Sequence, residues 1–399
     1  MVCKNCMFAD ALATAAVSKE DPAEARAMLE PFRTAFHEPI SDFLLYSRSG
    51  PRVIRLSLPG MESKPEREIR MNQHRPAKVI VVGTGLAGLS AAIEAADAGA
   101  SVVLLEKESK IGGNSAKATS GINGWGTDTQ AYQGVADDER LFERDTFRSG
   151  KGGFCYPSLV RTLSSKSSPA IHWLKRKFNI PLTVLSQLGG HSAKRTHRAP
   201  PDEHGTPRPI GYLIVSTLKS AIETDYNDKI KIRCGQTVIK LLHSVNDDDE
   251  KTVTGVQVTT SDNGILKLYA DSVVLATGGF GCSQSSDGLM KRFRPDLLGC
   301  PTTNGAFAQG DGVKLGEGIG AELIDMDKVQ LHPTGFIDPK DPSNSTKILA
   351  PEAIRGKSTL IKGAKEIVCE VSNDEAKDSF LSSVATVTIF PSALNATYI

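Results

Sequence analysis

The sequence predicts an α/β fold with a parallel central sheet, and three observations carry that reading. An apolar run, Val79-Ile80-Val81-Val82, ends in the turn Gly83-Thr84-Gly85-Leu86-Ala87-Gly88 and passes into a helical stretch. A second apolar run, Ser101 to Leu105, ends in an acid, Glu106. A third, Ser272 to Thr277, ends in Gly278-Gly279-Phe280-Gly281. Continuous apolar runs, rather than alternating ones, mark strands covered on both faces, as in a parallel sheet.

The other elements follow in chain order. Residues 15–75 are rich in Glu, Arg, Pro and Met, with one helical stretch from Pro22 to Phe36. Lys64 to Pro76 is charged and proline-flanked and reads as a linker. Leu141–Phe147 and Leu159–Phe178 carry helical apolar spacing. Pro181–Leu185 reads as a short strand. Gly189–Pro209 reads as a polar loop crowded with His191, Lys194, Arg195, His197 and Arg198. Ile210–Asp225 is helical, and Ile230–Arg233 and Val253–Thr260 are strands. Asp262-Asn263-Gly264 is a turn that closes a hairpin with Ile265–Tyr269.

Each part of the glycine turn has a physical task. Gly83 permits a tight strand-to-helix turn, Gly85 lets the backbone approach a pyrophosphate, and Gly88 lets the helix pack close on the strand. The helix N-terminus then offers N–H groups and partial positive charge to phosphates. Glu106 stands at the end of the second apolar run, where an acid accepts hydrogen bonds from a ribose diol. A second small-residue loop follows, Gly112-Gly113-Asn114-Ser115 and then Thr119-Ser120-Gly121-Ile122-Asn123. It suits a cofactor that extends beyond its pyrophosphate, so the reading favours FAD over NAD. The strand end at Thr277 and Gly278 returns the backbone to the same crevice.

Bulk properties narrow the function classes. At 399 residues the chain has room for two or three domains, and 40% hydrophobic residues supply a large core. Lys+Arg number 47 against Asp+Glu 46, which leaves no electrostatic footprint for nucleic acid or an anionic membrane. No apolar run is long enough to cross a bilayer, so no membrane span is expected. The first residues lack the apolar segment of a signal peptide. Seven scattered cysteines read as free thiols of a reducing compartment, so an intracellular, soluble protein is expected, in the cytosol or an organelle. Cys3 and Cys6 form the single C-x-x-C, and no second pair completes a zinc site.

From Lys78 to Arg355 the chain resembles the soluble fumarate reductase and succinate dehydrogenase flavoprotein family. The motifs are V-V-G-T-G-L-A-G-L-S-A-A (81–92), L-L-E-K (104–107), I-G-G-N-S-A-K-A-T-S-G-I-N (111–123), L-G-G-H-S-A-K-R-T-H-R (188–198), L-A-T-G-G-F (275–280), Q-G-D-G (309–312), Q-L-H-P-T-G-F (330–336) and A-P-E-A-I-R-G (350–356). R-T-H-R and H-P-T-G-F together place it nearest the soluble fumarate reductases. The resemblance implies a Rossmann-like FAD-binding domain over 78–331 with a β-hairpin insertion, then the start of an α+β capping domain over 332–399. A-D-A-L-A-T-A (9–15) is similar to the end of a flavin transferase domain, with Asp10 and Thr14 at its metal and flavin positions. Residues 1–60 then read as a remnant of such a domain, and 61–77 as the linker.

The same resemblance implies the site. FAD would be held by Gly83, Gly85, Leu86, Ala87, Gly88, Glu106, Lys107, Gly113, Asn114, Ser115, Ser120, Gly121, Ile122, Asn123, Val238, Thr277, Gly278 and Asp311. Asn114 stands where membrane-bound relatives place a histidine linked to the flavin, so a non-covalent FAD is expected. By the same resemblance the substrate would be a small dicarboxylate, whose two charges need cationic and hydrogen-bonding partners once out of water. His332 would bind a carboxylate, and Glu352 and Arg355, three apart on one helical turn, would belong to a proton relay. The R-T-H-R loop is expected on the flavin side, with either a substrate contact or a structural role. No metal is expected, and the electron donor is open, an NADH-linked domain or protein among the choices.

The motifs end at Gly356. No His follows His332 and no Arg follows Arg355, so the family's later substrate-binding and proton-donating residues are missing. The expectation is a fumarate-reductase-type oxidoreductase impaired by truncation, with a tail unrelated to the family. The alternative is a catalytically dead flavin-binding fragment. A ketosteroid dehydrogenase of the same flavoprotein group is disfavoured, because a His and an Arg relay suit carboxylates rather than a steroid.

Overall fold

The computed structural model describes residues 43–47, 50–54, 75–150, 155–247, 249–331, 334–337, 341–347, 366–367 and 386–389. The chain divides into two compact units, residues 1–73 and 74–399. In the first, β1 (Phe43–Ser47) and β2 (Gly50–Ile54) form an antiparallel hairpin.

The second unit is built on a four-stranded parallel sheet. Its strands are β3 (Lys78–Val82), β4 (Ser101–Leu105), β8 (Ile230–Arg233) and β12 (Ser272–Leu275), ordered β12-β3-β4-β8. Helix α1 (Leu86–Asp97) connects β3 to β4 and buries Gly88, Leu89, Ala92, Ile93 and Ala96, one stripe at helical spacing. Helix α5 (Ile210–Asp225) buries Ile210, Ile214, Leu218 and Ile222 in the same way.

Period-two alternation divides the sheet's side chains between two cores. Val81, Val102 and Leu104 face the helical layer with Leu89, Ile93, Leu218 and Ile222. Ile80, Val82 and Leu105 face the opposite way, onto Val238, Leu241, Val256 and Val258. Those last four belong to an antiparallel meander of β9 (Thr237–Val245), β10 (Lys251–Thr259) and β11 (Ile265–Tyr269). Each fully buried aliphatic side chain contributes roughly 1.5–3 kcal/mol. Burial on both faces explains why β3 and β4 read as unbroken apolar runs.

Two departures from the sequence reading have local causes. β9 was not expected. Its buried residues Val238 and Leu241 lie three apart, because a register shift opposite Gln257 and Val258 leaves Ile239 outside the pairing. Such a bulge hides the period of two. The segment expected as a polar loop, Gly189–Pro209, contains strand β7 (Thr196–Arg198). It pairs with β5 (Ile122–Asn123) and with β6 (Val184–Ser186), which lies slightly later than the strand expected at Pro181–Leu185. Around this small sheet lie α2 (Asp128–Tyr132), α3 (Glu139–Ser149) and α4 (Pro157–Phe178). Later come α6 (Leu289–Phe293) and α7 (Asp311–Glu317), then a sheet of β13 (Thr334–Ile337), β14 (Glu366–Ile367) and β15 (Thr386–Ile389). No described helix is long and apolar enough to cross a membrane.

Candidate functional site

At the carboxyl ends of β3, β4 and β12 lies a cleft of about 550 Å³, within the size range of small-molecule sites. Its floor is the glycine turn. Gly83 has φ +102°, and a Cβ there would sit 2.4 Å from the carbonyl oxygen of Ala276, just past the end of β12. A Cβ at Gly88 would sit 1.9 Å from the carbonyl oxygen of Gly83. Both glycines are demanded by the protein's own packing. Gly85 is not. Its φ is −66°, in the extended region, and its Cβ would meet nothing nearer than Ser115 Oγ at 3.3 Å. The missing Cβ at 85 keeps cleft space open.

Gly85 is also the N-cap of α1 and has no side chain to close it. Ser115 Oγ instead accepts a hydrogen bond from the Leu86 N–H at 3.0 Å. Leu86 and Ala87 line the cleft, so the positive end of a 12-residue helix opens onto it.

Glu106, at the end of β4, is 8% exposed. Its Oε2 accepts from the Thr84 N–H at 3.2 Å and from the Thr84 hydroxyl, and Oε1 accepts from the Glu108 N–H at 3.0 Å. A carboxylate has about four acceptor directions, so one on Oε1 is left for an external donor. Gln236, pinned to Glu106 through its N–H to the Glu106 carbonyl at 2.9 Å, also lines the cleft. Its buried Oε1 has no hydrogen-bond partner. An orphaned buried acceptor costs about 1–3 kcal/mol, and a ligand N–H or O–H would remove that cost.

Across the cleft, Lys107 Nζ donates to Asp311 Oδ2 and to the Phe307 carbonyl, both at 2.6 Å. Thr277 Oγ1 accepts from the Gly312 N–H at 3.0 Å and so fixes the start of α7. Of the residues expected to bind the cofactor, Gly83, Gly85, Leu86, Ala87, Glu106, Lys107, Gly113, Asn114, Ser115, Val238, Thr277, Gly278 and Asp311 line this one cleft. Gly88 lies behind it, in the helix packing. Ser120, Gly121, Ile122 and Asn123 stand away from it, in and just before β5. There a Cβ on Gly121 would fall 2.6 Å from the His197 carbonyl oxygen, and Asn123 Oδ1 accepts from the Thr196 hydroxyl at 2.7 Å.

Several lining residues were missed by the sequence reading. Thr84 was legible, since a hydroxyl between two glycines sits within reach of an acid at the neighbouring strand end. Gln236 and Thr237 were hidden with the start of β9. Phe307 carries no signal beyond its place just before Q-G-D-G.

The R-T-H-R segment lies in the interior. The Arg195 side chain is fully buried, and its guanidinium forms ion pairs with Asp137 at 2.7 Å and Asp145 at 2.8 Å. It also lies 4.6 Å from the centre of the Phe142 ring. Burial raises the Asp145 pKa, but donation from Ser192 and the charge of Arg195 outweigh it, and the carboxyl is held below its ordinary value. His197, also fully buried, meets the Arg195 carbonyl through Nδ1 at 2.9 Å and the Thr127 hydroxyl through Nε2 at 2.7 Å. A carbonyl only accepts, so Nδ1 carries the proton and Nε2 accepts from Thr127. Burial holds this ring below its ordinary pKa. Arg195 and His197 are therefore structural, the second of the two roles the sequence allowed.

His332, Glu352 and Arg355 lie outside the described residues, as do Asp10, Thr14, Cys3 and Cys6. Among the described residues no three His, Cys, Asp or Glu side chains converge on a metal position.

The cleft fits an adenine dinucleotide on its own chemistry. It offers a helix N-terminus, a residue with no Cβ where a phosphate would approach, a free carboxylate direction and an orphaned acceptor. A family profile described as an FAD binding domain matches residues 78–378. The chain is 41% identical over 292 residues to the fumarate reductase of Schizosaccharomyces pombe, which covers 73% of this chain and 56% of that protein. It is 42% identical over 282 residues to fumarate reductase 1 of Saccharomyces cerevisiae, covering 70% and 57%. The solved open conformation of a flavocytochrome c3 fumarate reductase matches with a TM-score of 0.61 and 34% identity, over 72% of this chain and 47% of that one. The chain thus spans a little over half the length of the two yeast relatives. The profile also continues past Gly356, where the motifs end, into the segment expected to be unrelated. The chain belongs to the FAD binding domain family, as a segment of the fumarate reductase and succinate dehydrogenase flavoproteins.

Proposed function

We propose that the chain carries the cofactor-binding part of a fumarate-reductase-type oxidoreductase, with FAD held non-covalently and a small dicarboxylate as substrate. One observation carries the reading: a dinucleotide cleft with an open Gly85 stands in a chain 41% and 42% identical to two yeast fumarate reductases. Glu106, Gln236 and Val238 would hold the adenosine end. The Ala87 N–H, at the open N-terminus of α1, would hold the pyrophosphate. Gly113, Ser115, Thr277, Gly278 and Asp311 would line the path beyond it. The bound flavin supplies a hydride.

His332 would take one substrate carboxylate, because a dianion leaving water needs charge-assisted donors. Glu352 and Arg355 would move the proton that the second alkene carbon requires. Residues from 332 onward would begin the domain that closes over the substrate.

The test is anaerobic. The flavin-loaded protein is reduced chemically, and its absorbance is followed after adding fumarate or a monocarboxylate alkene. The expected result is slow reoxidation of the flavin by fumarate, impaired by the lack of the family's later proton-donating residues, and none by the monocarboxylate. Reoxidation by the monocarboxylate and not by fumarate would overturn the substrate class. A protein that takes up no FAD would overturn the whole reading.

A further inference from the structure

We propose that Asn114 is a positioning residue that latches the loop 302–307 across the cofactor cleft, and that it retains FAD through this latch. The inference rests on the cofactor reading above and adds to it a way of holding the ligand. Asn114 sits in the 3₁₀ turn Gly113–Lys117. Both ends of its amide are committed to the loop. Nδ2 donates to Asn304 Oδ1 at 2.8 Å, and Oδ1 accepts from the Gly305 N–H at 3.0 Å. Asn304 is fixed in turn, since its N–H and its Nδ2 both donate to Thr302 Oγ1 at 3.1 Å. Its side chain fills the notch left by Gly281, where a Cβ would fall 2.3 Å from Asn304 Nδ2.

Two lysines from the same side of the cleft tie the loop again. Lys117 Nζ donates to the Thr303 carbonyl at 2.9 Å, and Lys107 Nζ to the Phe307 carbonyl at 2.6 Å. Phe307 is cleft wall. The loop contributes no charge of its own, and Asn114, Lys107 and Lys117 are the side chains that tie it to the glycine-rich side of the cleft. At its far end, the Thr302 N–H donates to the Ser345 carbonyl at 2.8 Å, and the Thr302 carbonyl accepts from the Lys347 N–H at 2.7 Å. The latch thereby joins the glycine-rich turn to the segment that leads towards Glu352. Opening it would move the Phe307 wall and free the path by which a bound dinucleotide leaves.

The experiment compares FAD release from the flavin-loaded wild type, N114A, N304A and the double variant, followed by the rise in flavin fluorescence on dilution. One hydrogen bond is worth about 0.5–1.5 kcal/mol, so N304A, which removes one bond of the latch, should release FAD up to roughly tenfold faster, and N114A, which removes both, at least as fast as N304A. The double variant should release no faster than N114A, because N114A already removes both bonds of the latch. Fast release from N114A with wild-type release from N304A would assign Asn114 to direct flavin contact and overturn the latch. Additive effects would overturn it as well. Hydrogen exchange of the 302–308 segment in the flavin-free chain gives a readout independent of the cofactor. N114A should exchange faster there than wild type, and equal exchange would sink the proposal. A wild-type chain that binds no FAD would sink the cofactor reading while leaving the exchange comparison decisive.

Discussion

The three glycines of the turn should separate cleanly into two that build the fold and one that serves the ligand. Replacing Gly83 with Ala would force a side chain into φ +102° and place Cβ 2.4 Å from a backbone oxygen. Backbone strain of that kind costs about 1–3 kcal/mol, and overpacking against atoms that cannot rotate away adds another ~1–3 kcal/mol. The expected loss of about 2–6 kcal/mol is a large share of the roughly 5–15 kcal/mol by which domains are ordinarily stable. Gly88→Ala should behave similarly, with its Cβ 1.9 Å from the Gly83 carbonyl oxygen.

Gly85→Ala should do the reverse. The backbone there is extended, and the new methyl would meet Ser115 Oγ at 3.3 Å, a contact relieved by a shift of a few tenths of an ångström that leaves the bond to the Leu86 N–H in place. The flavin-free protein should keep its stability, or gain up to ~1 kcal/mol from a less flexible unfolded chain. FAD should bind more weakly, because the methyl holds a phosphate away from the helix N–H groups. Losing one charge-assisted hydrogen bond, ~1.5–3 kcal/mol, is a loss of roughly 10–150-fold in affinity. The assay pairs thermal unfolding of the flavin-free variants with titration of FAD by quenching of its fluorescence. A Gly85→Ala protein that binds FAD as wild type does, or that melts like Gly83→Ala, would refute the assignment of cleft and ligand.

Three further outcomes follow from the same geometry. Acid precipitation should release all flavin to the supernatant, since Asn114 offers no nucleophile for a covalent link, and colour retained in the pellet would contradict this. Gln236→Leu should leave the flavin-free protein as stable or more so, by removing an orphaned acceptor worth about 1–3 kcal/mol, and should weaken FAD binding; unchanged affinity would show that Oε1 meets no ligand. The neutral His197 ring, held below its ordinary 6.5 by burial despite the raising effect of its hydrogen bonds and with Lys175 and Asp128 nearby, contributes stability that is complete above pH 6.5. As pH falls from 6.5 towards the lowered folded value, stability should drop by up to about 1.4 kcal/mol per pH unit, and His197→Gln should flatten that dependence; an unaltered slope in the variant would exclude the ring as its source.

The parallel sheet was legible because its physics is local. β3, β4 and β12 are short apolar runs, and each run ends in the glycine or acid that its turn requires. The glycine turn and its acid were legible for the same reason, since Gly83, Gly85, Gly88 and Glu106 lie within one βαβ unit that begins at Lys78. What escaped depends on partners distant in sequence. β9 shows its inward face only once the bulge against β10 is known. Gln236 matters because its backbone is bonded to that of Glu106, which lies far earlier in the chain.

The buried R-T-H-R segment shows the same limit and gives a reason for its charges. Read alone, a run of basic residues suggests a solvated loop or an anion site. Its counter-ions, Asp137 and Asp145, precede Arg195 by 58 and 50 residues. With both carboxylates in reach, Arg195 can be fully buried, because its donors are met in planar, fork-like geometry. The arrangement gains little net stability, since desolvation of the ions opposes their attraction. What it does supply is register. Arg195 ties the residue before β7 to α3 and to Asp137. His197 ties β7 to Thr127, whose hydroxyl also caps α2. β7 is the strand that pairs with β5, and β5 carries Ile122 and Asn123. A sheet whose middle strand is so short, Thr196–Arg198, cannot hold its own register through backbone bonds alone. The buried ion network performs that task and fixes the wall of the domain on which the second small-residue loop is mounted.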